Sequence, residues 1–206
     1  MAIYRSSRKT TPKVQSGTVQ KKNRHAPTRR NSLGIGIEKP AQGYRHVLSK
    51  DDVWKFLRLI PDWKRVSTDL DLIFLHSGYD DADGWYEYPH QPSIALCAWG
   101  EGLREDYNPE HYRLHAAVFS RLGVEIEEID HGVAAQFDEE SAKAYQLLHI
   151  LLHELGHHHY RITIGRGKSA GSESYAEKYA LKLEKQIWNR YQKAFNFYPK
   201  VVKPLI

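Results

Sequence analysis

Three residues with the chemistry of a metal site lie close together in the second half of the chain. His153, Glu154 and His157 form the pattern H-E-x-x-H. On a helix, residues four apart lie one turn apart on the same face, so both imidazoles can reach one metal ion. Glu154 directly follows the first of them and can reach a water on the open side of that ion. Two neutral His ligands, an open coordination position and a proton-accepting carboxylate are the requirements of a zinc hydrolase.

The residues around this pattern predict a buried helix. Most of its neighbours are apolar, namely Leu147, Leu148, Ile150, Leu151, Leu152 and Leu155. Gly156 costs about 1 kcal/mol of helix propensity relative to Ala, which is more easily explained by a close packing partner than by helix stability. The alternative, a helix with surface histidines, does not account for the apolar surroundings.

A second helix follows and carries two carboxylates. Residues 161–171 are predicted to form a Gly- and Ser-containing connection, after which Ser172 is a suitable N-cap. Apolar or aromatic residues then recur with a helical period, at Ala176, Ala180, Leu183, Ile187 and Tyr191. Glu173 and Glu177 lie one turn apart near the start of this helix, so a third metal ligand is available downstream of the two histidines.

Over roughly residues 130–185 the chain resembles zincin metallopeptidases of the gluzincin type, and it is loosely similar to small intracellular ImmA/IrrE-type proteases. The resemblance implies one Zn²⁺ per chain with His153, His157 and Glu173 as ligands and Glu154 as general base. It also implies that Glu177 supports a ligand histidine through the other ring nitrogen. Asp is more usual than Glu at the position of Glu177. Other interpretations are a first-turn acid favoured by the helix dipole for Glu173 and a solvated helix face for Glu177.

The order of the remaining elements predicts an α+β domain over residues 44–206. Its predicted form is zincin-like, a small mixed sheet packed on the H-E-x-x-H helix and followed by the glutamate-bearing helix. Caps predict helix starts at Ser49, Asn108 and Asp138. Alternating or apolar runs predict strands at 70–76, 85–88, 93–99, 124–129 and 131–137. The resemblance implies that an extended substrate lies along a sheet edge, for which 93–99 and 131–137 are the candidates.

Several other polar residues are candidates for secondary roles. His111 and His115 are also four apart, but no acid follows them and His115 falls among apolar positions, so a core or interface histidine is favoured over a second metal site. Oxyanion stabilisation is open among Tyr160, Arg161, Tyr175 and His158. His158 and His159 are expected to point away from the face shared by His153 and His157.

Composition places the protein among single-domain cytoplasmic proteins. The 206 residues, 41% of them hydrophobic, suffice for one domain with extensions. A lone cysteine, Cys97, excludes an intramolecular disulfide and is expected to be a small buried residue. No stretch approaches the roughly 18 apolar residues of a membrane span, and the N-terminus lacks an apolar secretion signal. A protein or peptide substrate is expected, and membrane contact is not.

Residues 1–43 form a basic segment that is predicted to be a disordered arm. They contain ten Lys or Arg and one Glu, a net charge of +9, whereas the rest of the chain has a net charge of −4. Few apolar residues are available to offset the entropy of ordering. The charge fits nonspecific contact with nucleic acid, an organelle transit peptide or a solubilising tail. A non-catalytic, zinc-binding regulatory or nucleic-acid-associated module is therefore the alternative to a zinc metallopeptidase.

Overall fold

The computed structural model describes residues 33–78, 82–88, 91–164 and 172–202, together with the backbone of two short strands nearer the N-terminus. The chain divides into two compact units, residues 1–30 and residues 31–206. In the first unit, strands β1 (Val14–Gln15) and β2 (Thr18–Val19) pair in antiparallel fashion. The rest of the first unit, and with it most of the predicted arm, lies outside the described residues.

The second unit is an α+β fold whose main sheet has four strands. Along the sheet the order is β3 (Gly34–Ile37), β5 (Leu72–His76), β7 (Ser93–Cys97) and β6 (Gly84–Glu87). The first three run parallel, and β6 pairs antiparallel with β7 at the edge. All five residues of β7 are buried, Cys97 among them, as expected for a central strand covered on both faces.

Strand β3 moves the start of the folded unit towards the N-terminus. Residues 34–37, predicted to belong to the arm, pair in register with residues 72–75 of β5. The predicted boundary between residues 43 and 44 therefore falls inside the folded unit. The Gly-Ile-Gly-Ile sequence gave little signal, since it is short and its two glycines depress strand propensity.

The second unit also contains two smaller sheets. Strand β9 (Arg104–Tyr107), which was not predicted, joins β10 (Glu125–Ile129) and β11 (Gly132–Gln136) in an antiparallel sheet with β11 in the middle. Strand β4 (Tyr44–Arg45) pairs with β8 (Trp99–Gly100).

The predicted caps form where the sequence places them. Ser49 and Asp52 form a capping box at the start of α1 (Lys50–Leu57), which is followed by the short α2 (Trp63–Val66). Asn108 accepts a hydrogen bond from the amide of His111 at the start of α3 (Pro109–Leu122). Gly123 ends α3 with φ +72°, a left-handed conformation that favours glycine.

The remaining helices form the long pair that carries the predicted site. Helix α4 (Glu139–Tyr145) continues through a π-helical segment, Gln146–Leu151, into α5 (Leu152–Ile164), and α6 spans Ser172–Phe195. One hydrophobic core joins the main sheet to all of these helices; its fully buried members include Phe56, Ile73, Ile94, Phe119, Leu148, Leu152 and Ile187. No helix among the described residues combines the length and apolar character needed to cross a membrane.

Candidate metal centre

A continuous helical run from Glu139 to Ile164 holds the H-E-x-x-H residues in place. Asp138 starts it with a capping box in which its carboxylate accepts from the amide of Ser141, 2.8 Å away. The π-helical segment begins at Gln146, whose side-chain amide donates to the carbonyl oxygen of Cys97 in β7. This hydrogen bond ties the helical run to the centre of the main sheet, just before the histidines.

Helix α6 packs on α5 through a contact that only glycine permits. A Cβ atom built on Gly156 would lie 2.6 Å from the Cα of Ala176 and 2.9 Å from its carbonyl oxygen. Real Cβ atoms do not approach backbone so closely, so the absence of a side chain at Gly156 sets the separation of the two helices. The predicted close partner of Gly156 is confirmed, and the contact lies between Glu173 and Glu177 in the sequence of α6.

His153, His157 and Glu173 meet in one group, here called the open cluster. The Nε2 atoms of the two histidines lie 3.1 Å apart. One carboxylate oxygen of Glu173 lies 3.3 Å from Nε2 of His153, and the other lies 3.4 Å from Nε2 of His157. The side chain of Glu173 is 80% exposed, so the cluster is open to solvent on that side.

These separations fit a tetrahedral zinc ion. Ligand atoms at about 2.0–2.1 Å from zinc lie about 3.3–3.4 Å from one another in a tetrahedron. The three separations in the open cluster, 3.1 to 3.4 Å, fall close to that value. Two imidazoles and one carboxylate are also a donor set that catalytic zinc sites use, with one position left for water or substrate.

Glu177 lies behind the open cluster. Its Oε2 is 3.4 Å from Nδ1 of His153, the ring nitrogen that does not face Glu173. With Nε2 directed at the cluster, Nδ1 carries the proton and donates to the carboxylate. Such a partner fixes the tautomer and orientation of a metal-binding histidine. The hydrogen bond to His153 also holds the pKa of the Glu177 carboxyl below its ordinary value.

Glu154 is a buried carboxyl beside the open cluster. It is 8% exposed, and a carboxylate oxygen lies within 4.8 Å of ligand nitrogens of both His153 and His157. Its pKa is raised to about 7, mainly by burial and further by the charge of Glu173, while His153 and a hydrogen bond from the backbone amide of Tyr86 act in the opposite direction. The group is thus poised to gain and lose a proton near neutral pH.

The two histidines respond differently to the same surroundings. Burial lowers the pKa of His153, but the hydrogen bond with Glu177 and the charges of Glu154, Glu177 and Glu173 raise it by more. For His157 burial prevails, and its pKa is lowered despite the charge of Glu173. The lowered pKa favours the neutral form of the His157 imidazole, which is the form that binds metal. The carboxylates around His153 create a negative environment that suits the binding of a cation.

The neighbouring histidines point away from the open cluster, as predicted. His158 is fully buried, with Nε2 2.9 Å from the carbonyl oxygen of Thr68 and Nδ1 3.1 Å from the hydroxyl of Tyr86. It is thus engaged in joining α5 to the main sheet, and this excludes it as an oxyanion donor. Nδ1 of His159 lies 2.7 Å from the hydroxyl of Tyr175 in α6. Tyr160, Arg161 and Tyr175 remain candidates.

Both strands predicted to form a substrate-binding edge are interior strands. Residues 93–97 lie between β5 and β6, and residues 132–136 lie between β9 and β10. Each strand therefore has partners on both sides. The edge strand beside α5 is instead β6, whose Tyr86 contacts both Glu154 and His158. Sequence alternation does not distinguish an edge strand from a central one, since both present the same pattern of side chains.

A second group of potential ligands lies next to the first and was not predicted. His115 of α3, His149 of the π-helical segment and Glu177 of α6 each offer a ligand atom, and these atoms lie within 4.8 Å of one another. We call these residues the buried cluster after His149, which is buried, whereas His115 and Glu177 are partly buried. His115 does not form a pair with His111 for metal binding; among the described residues its potential co-ligands are His149 and Glu177. The spacing of His149, His153 and His157 at intervals of four was the available signal in the sequence.

Comparison with known proteins finds no matching family model, no match among curated proteins and no matching solved structure. Functional inference therefore rests on the geometry of the two clusters and on the chemistry of their residues.

Proposed function

We propose that the protein is a zinc-dependent metallopeptidase. The observation that carries the proposal is the open cluster, in which His153, His157 and Glu173 present ligand atoms 3.1 to 3.4 Å apart beside the buried carboxyl of Glu154. The fold supports it in outline, since a mixed sheet packs on the H-E-x-x-H helix and a glutamate-bearing helix follows. The resemblance to gluzincin-type zincins and to ImmA/IrrE-type proteases is part of the same proposal.

Each residue of the site has a defined task in this proposal. His153, His157 and Glu173 hold the ion, and Glu177 orients His153 through Nδ1. A bound zinc ion supplies a Lewis acid that makes water more acidic and polarises a peptide carbonyl. Glu154 accepts the proton of the attacking water and returns it to the departing amine. Burial raises the pKa of Glu154 above that of a free glutamate, which is the direction that an effective proton shuttle near neutral pH needs.

The substrate is proposed to bind as an extended strand along β6. This strand is at an edge of the main sheet, and the backbone amide of its Tyr86 contacts Glu154. A peptide paired with β6 would thus lie next to the general base. Strand addition of this kind supplies backbone hydrogen bonds that depend little on the sequence of the peptide.

Hydrolysis of a mixed peptide library, read by mass spectrometry, tests the proposal. The wild type is compared with Glu154→Gln, which keeps the size and polarity of the side chain and removes the base. We expect the wild type to produce new peptide ends and the variant to be slower by about 100- to 10,000-fold, with its zinc content unchanged. Glu140→Gln, at an exposed acid in the same helical run, is the matched control and should cleave normally. Equal cleavage by wild type and Glu154→Gln would overturn the assigned mechanism.

A further inference from the structure

We propose that the buried cluster, formed by His115, His149 and Glu177, is a second divalent-metal site. It adds a second ion per chain to the one bound by the open cluster and shares Glu177 with it. Its three ligands come from α3, the π-helical segment and α6, so an ion there would join three separate parts of the chain. Two imidazoles and a carboxylate are ligands that Zn²⁺ and similar divalent ions accept.

An unsatisfied nitrogen is the first observation in favour of this site. His149 is 3% exposed, and its Nδ1 is buried without a hydrogen-bond partner. Leaving a buried polar atom unpaired costs about 1–3 kcal/mol. Its ring packs against the rings of Tyr145 and His115, with centroids 5.3 and 4.9 Å away, so aromatic packing fills the space around it without satisfying the nitrogen. One ring nitrogen of His149 lies within 4.8 Å of the ligand atoms of His115 and Glu177, so a metal ion in the cluster would give this imidazole a polar partner.

The hydrogen bonding of His115 is the second observation. Its Nδ1 lies 2.8 Å from the carbonyl oxygen of His111. A carbonyl oxygen only accepts, so Nδ1 carries the proton and Nε2 presents a lone pair. Metal-binding histidines are commonly held in this way, with the non-ligating nitrogen donating to a backbone carbonyl. The ring of His115 is thus fixed in the tautomer that a metal site needs.

Glu177 can serve both clusters because a carboxylate has two oxygens with several lone pairs. Its Oε2 contacts Nδ1 of His153, and the carboxylate also lies within 4.8 Å of the ligand atoms of His115 and His149. Modest side-chain movements would bring the latter set to the ligand separations of a tetrahedral ion. Since both His149 and the surrounding core are buried, an ion there is positioned to stabilise the fold and to anchor Glu177 behind His153.

The π-helical segment accounts for the position of His149. Such segments are rare and are frequent at functional sites, since they change the direction in which a helix presents its side chains. Here the segment covers Gln146–Leu151 and contains one ligand of the buried cluster, immediately before the helix that carries two ligands of the open cluster. His149 lies outside the H-E-x-x-H motif and contributes no ligand to the open cluster. The π-helical segment therefore serves the buried cluster.

Metal stoichiometry of the full-length chain tests the inference. The chain is stripped of metal, dialysed against buffered Zn²⁺ and analysed for zinc per chain, with circular dichroism as a check of folding. We expect about two zinc ions in the wild type and about one in His115→Asn, which retains a donor for the carbonyl of His111. His131→Ala, which removes an exposed imidazole elsewhere, is the control for adventitious surface binding and should retain both ions.

The variant Glu173→Ala separates this inference from the proposed function. It should lose the ion of the open cluster and keep that of the buried cluster. One zinc in the wild type that is lost in Glu173→Ala and kept in His115→Asn would overturn the second site and leave the proposed function standing. One zinc lost in His115→Asn and kept in Glu173→Ala would do the reverse. An equal loss in His131→Ala and His115→Asn would also overturn the second site.

Discussion

The open and buried clusters use the same residue types in different surroundings. The open cluster has its ligand atoms 3.1 to 3.4 Å apart and one face in solvent through Glu173. The buried cluster has its ligand atoms within 4.8 Å of one another, and its His149 is enclosed in the core. Zinc sites that leave a position for water do chemistry, whereas closed sites stabilise folds. Accessibility, more than ligand identity, thus separates a candidate catalytic ion from a candidate structural one.

Glu177 belongs to both clusters, so its substitution tests most strongly whether the two clusters are linked. Glu177→Gln removes a charged ligand of the buried cluster and the carboxylate that orients His153. We expect loss of the second zinc ion and a 10- to 100-fold weaker affinity, as an order of magnitude, at the open cluster. Competition with a fluorescent chelator measures both. If Glu177→Gln leaves both affinities unchanged, the link between the clusters is wrong.

The contact at Gly156 tests whether helix packing sets both clusters. On an unobstructed helix, Gly→Ala would stabilise the protein by about 1 kcal/mol. Because the backbone of Ala176 lies 2.6 Å from the new Cβ, we expect Gly156→Ala to destabilise it instead, by about 1–3 kcal/mol. Zinc affinity should fall as well, since both clusters take a carboxylate from α6. Urea unfolding of the metal-free protein gives the sign, and a gain in stability would contradict the account.

Asp138 caps the helical run that supplies both clusters. Its substitution should change the free energy of unfolding by less than that of Gly156. Burial raises the pKa of Asp138, but hydrogen bonds from Ser141 and Lys200 lower it by more, to below its ordinary 3.8. Its stabilising contribution is therefore complete above that ordinary value and is lost as the pH falls through the lower value of the folded state. We expect Asp138→Ala to cost about 1 kcal/mol at neutral pH and less in acid.

Urea unfolding at several pH values measures this difference. Glu140→Ala, at an exposed acid in the first turn of the same helix, is the matched control, and its effect should stay within about 0.5 kcal/mol. A difference between wild type and Asp138→Ala that grows as the pH falls would contradict the assigned role of the cap.

Deletion of residues 1–30 should have the smallest effect on the clusters. These residues carry nine Lys or Arg and no acid, and they form a compact unit of their own. We expect unchanged zinc content and unchanged cleavage of peptides, with loss of any salt-dependent binding to duplex DNA or RNA. Fluorescence anisotropy at two salt concentrations measures the latter. Loss of zinc on deletion would show that the basic segment belongs to the metal centre and favour the regulatory alternative.

Local signals in the sequence predicted the helices and their caps. Ser49, Asn108 and Asp138 all cap helices because a short polar side chain next to a periodic apolar run satisfies the first free amides. The close packing at Gly156 was accessible because glycine is otherwise unfavourable inside a helix, and the expected role of Glu177 came from the resemblance to zincins. Glu173 and Glu177 do lie against the histidines, and this arrangement depends on the α5–α6 contact that Gly156 permits.

Features that depend on contacts between distant parts of the chain could not be predicted from the sequence. Strand β3 pairs with a strand almost forty residues further on, and neither its length nor its glycines distinguish it from a linker. The edge position of β6 depends on strand order, which alternation does not encode. His115 joins His149 and Glu177 from three different elements, so only the tertiary fold brings them together.

The most direct test is a crystal structure of the zinc-loaded protein with anomalous diffraction recorded on either side of the zinc absorption edge. We predict a zinc peak bounded by Nε2 of His153, Nε2 of His157 and the carboxylate of Glu173, with Glu177 on Nδ1 of His153. A peak at the open cluster that lacks any one of these three ligands, or zinc bound elsewhere while this cluster stays empty, would contradict the central claim.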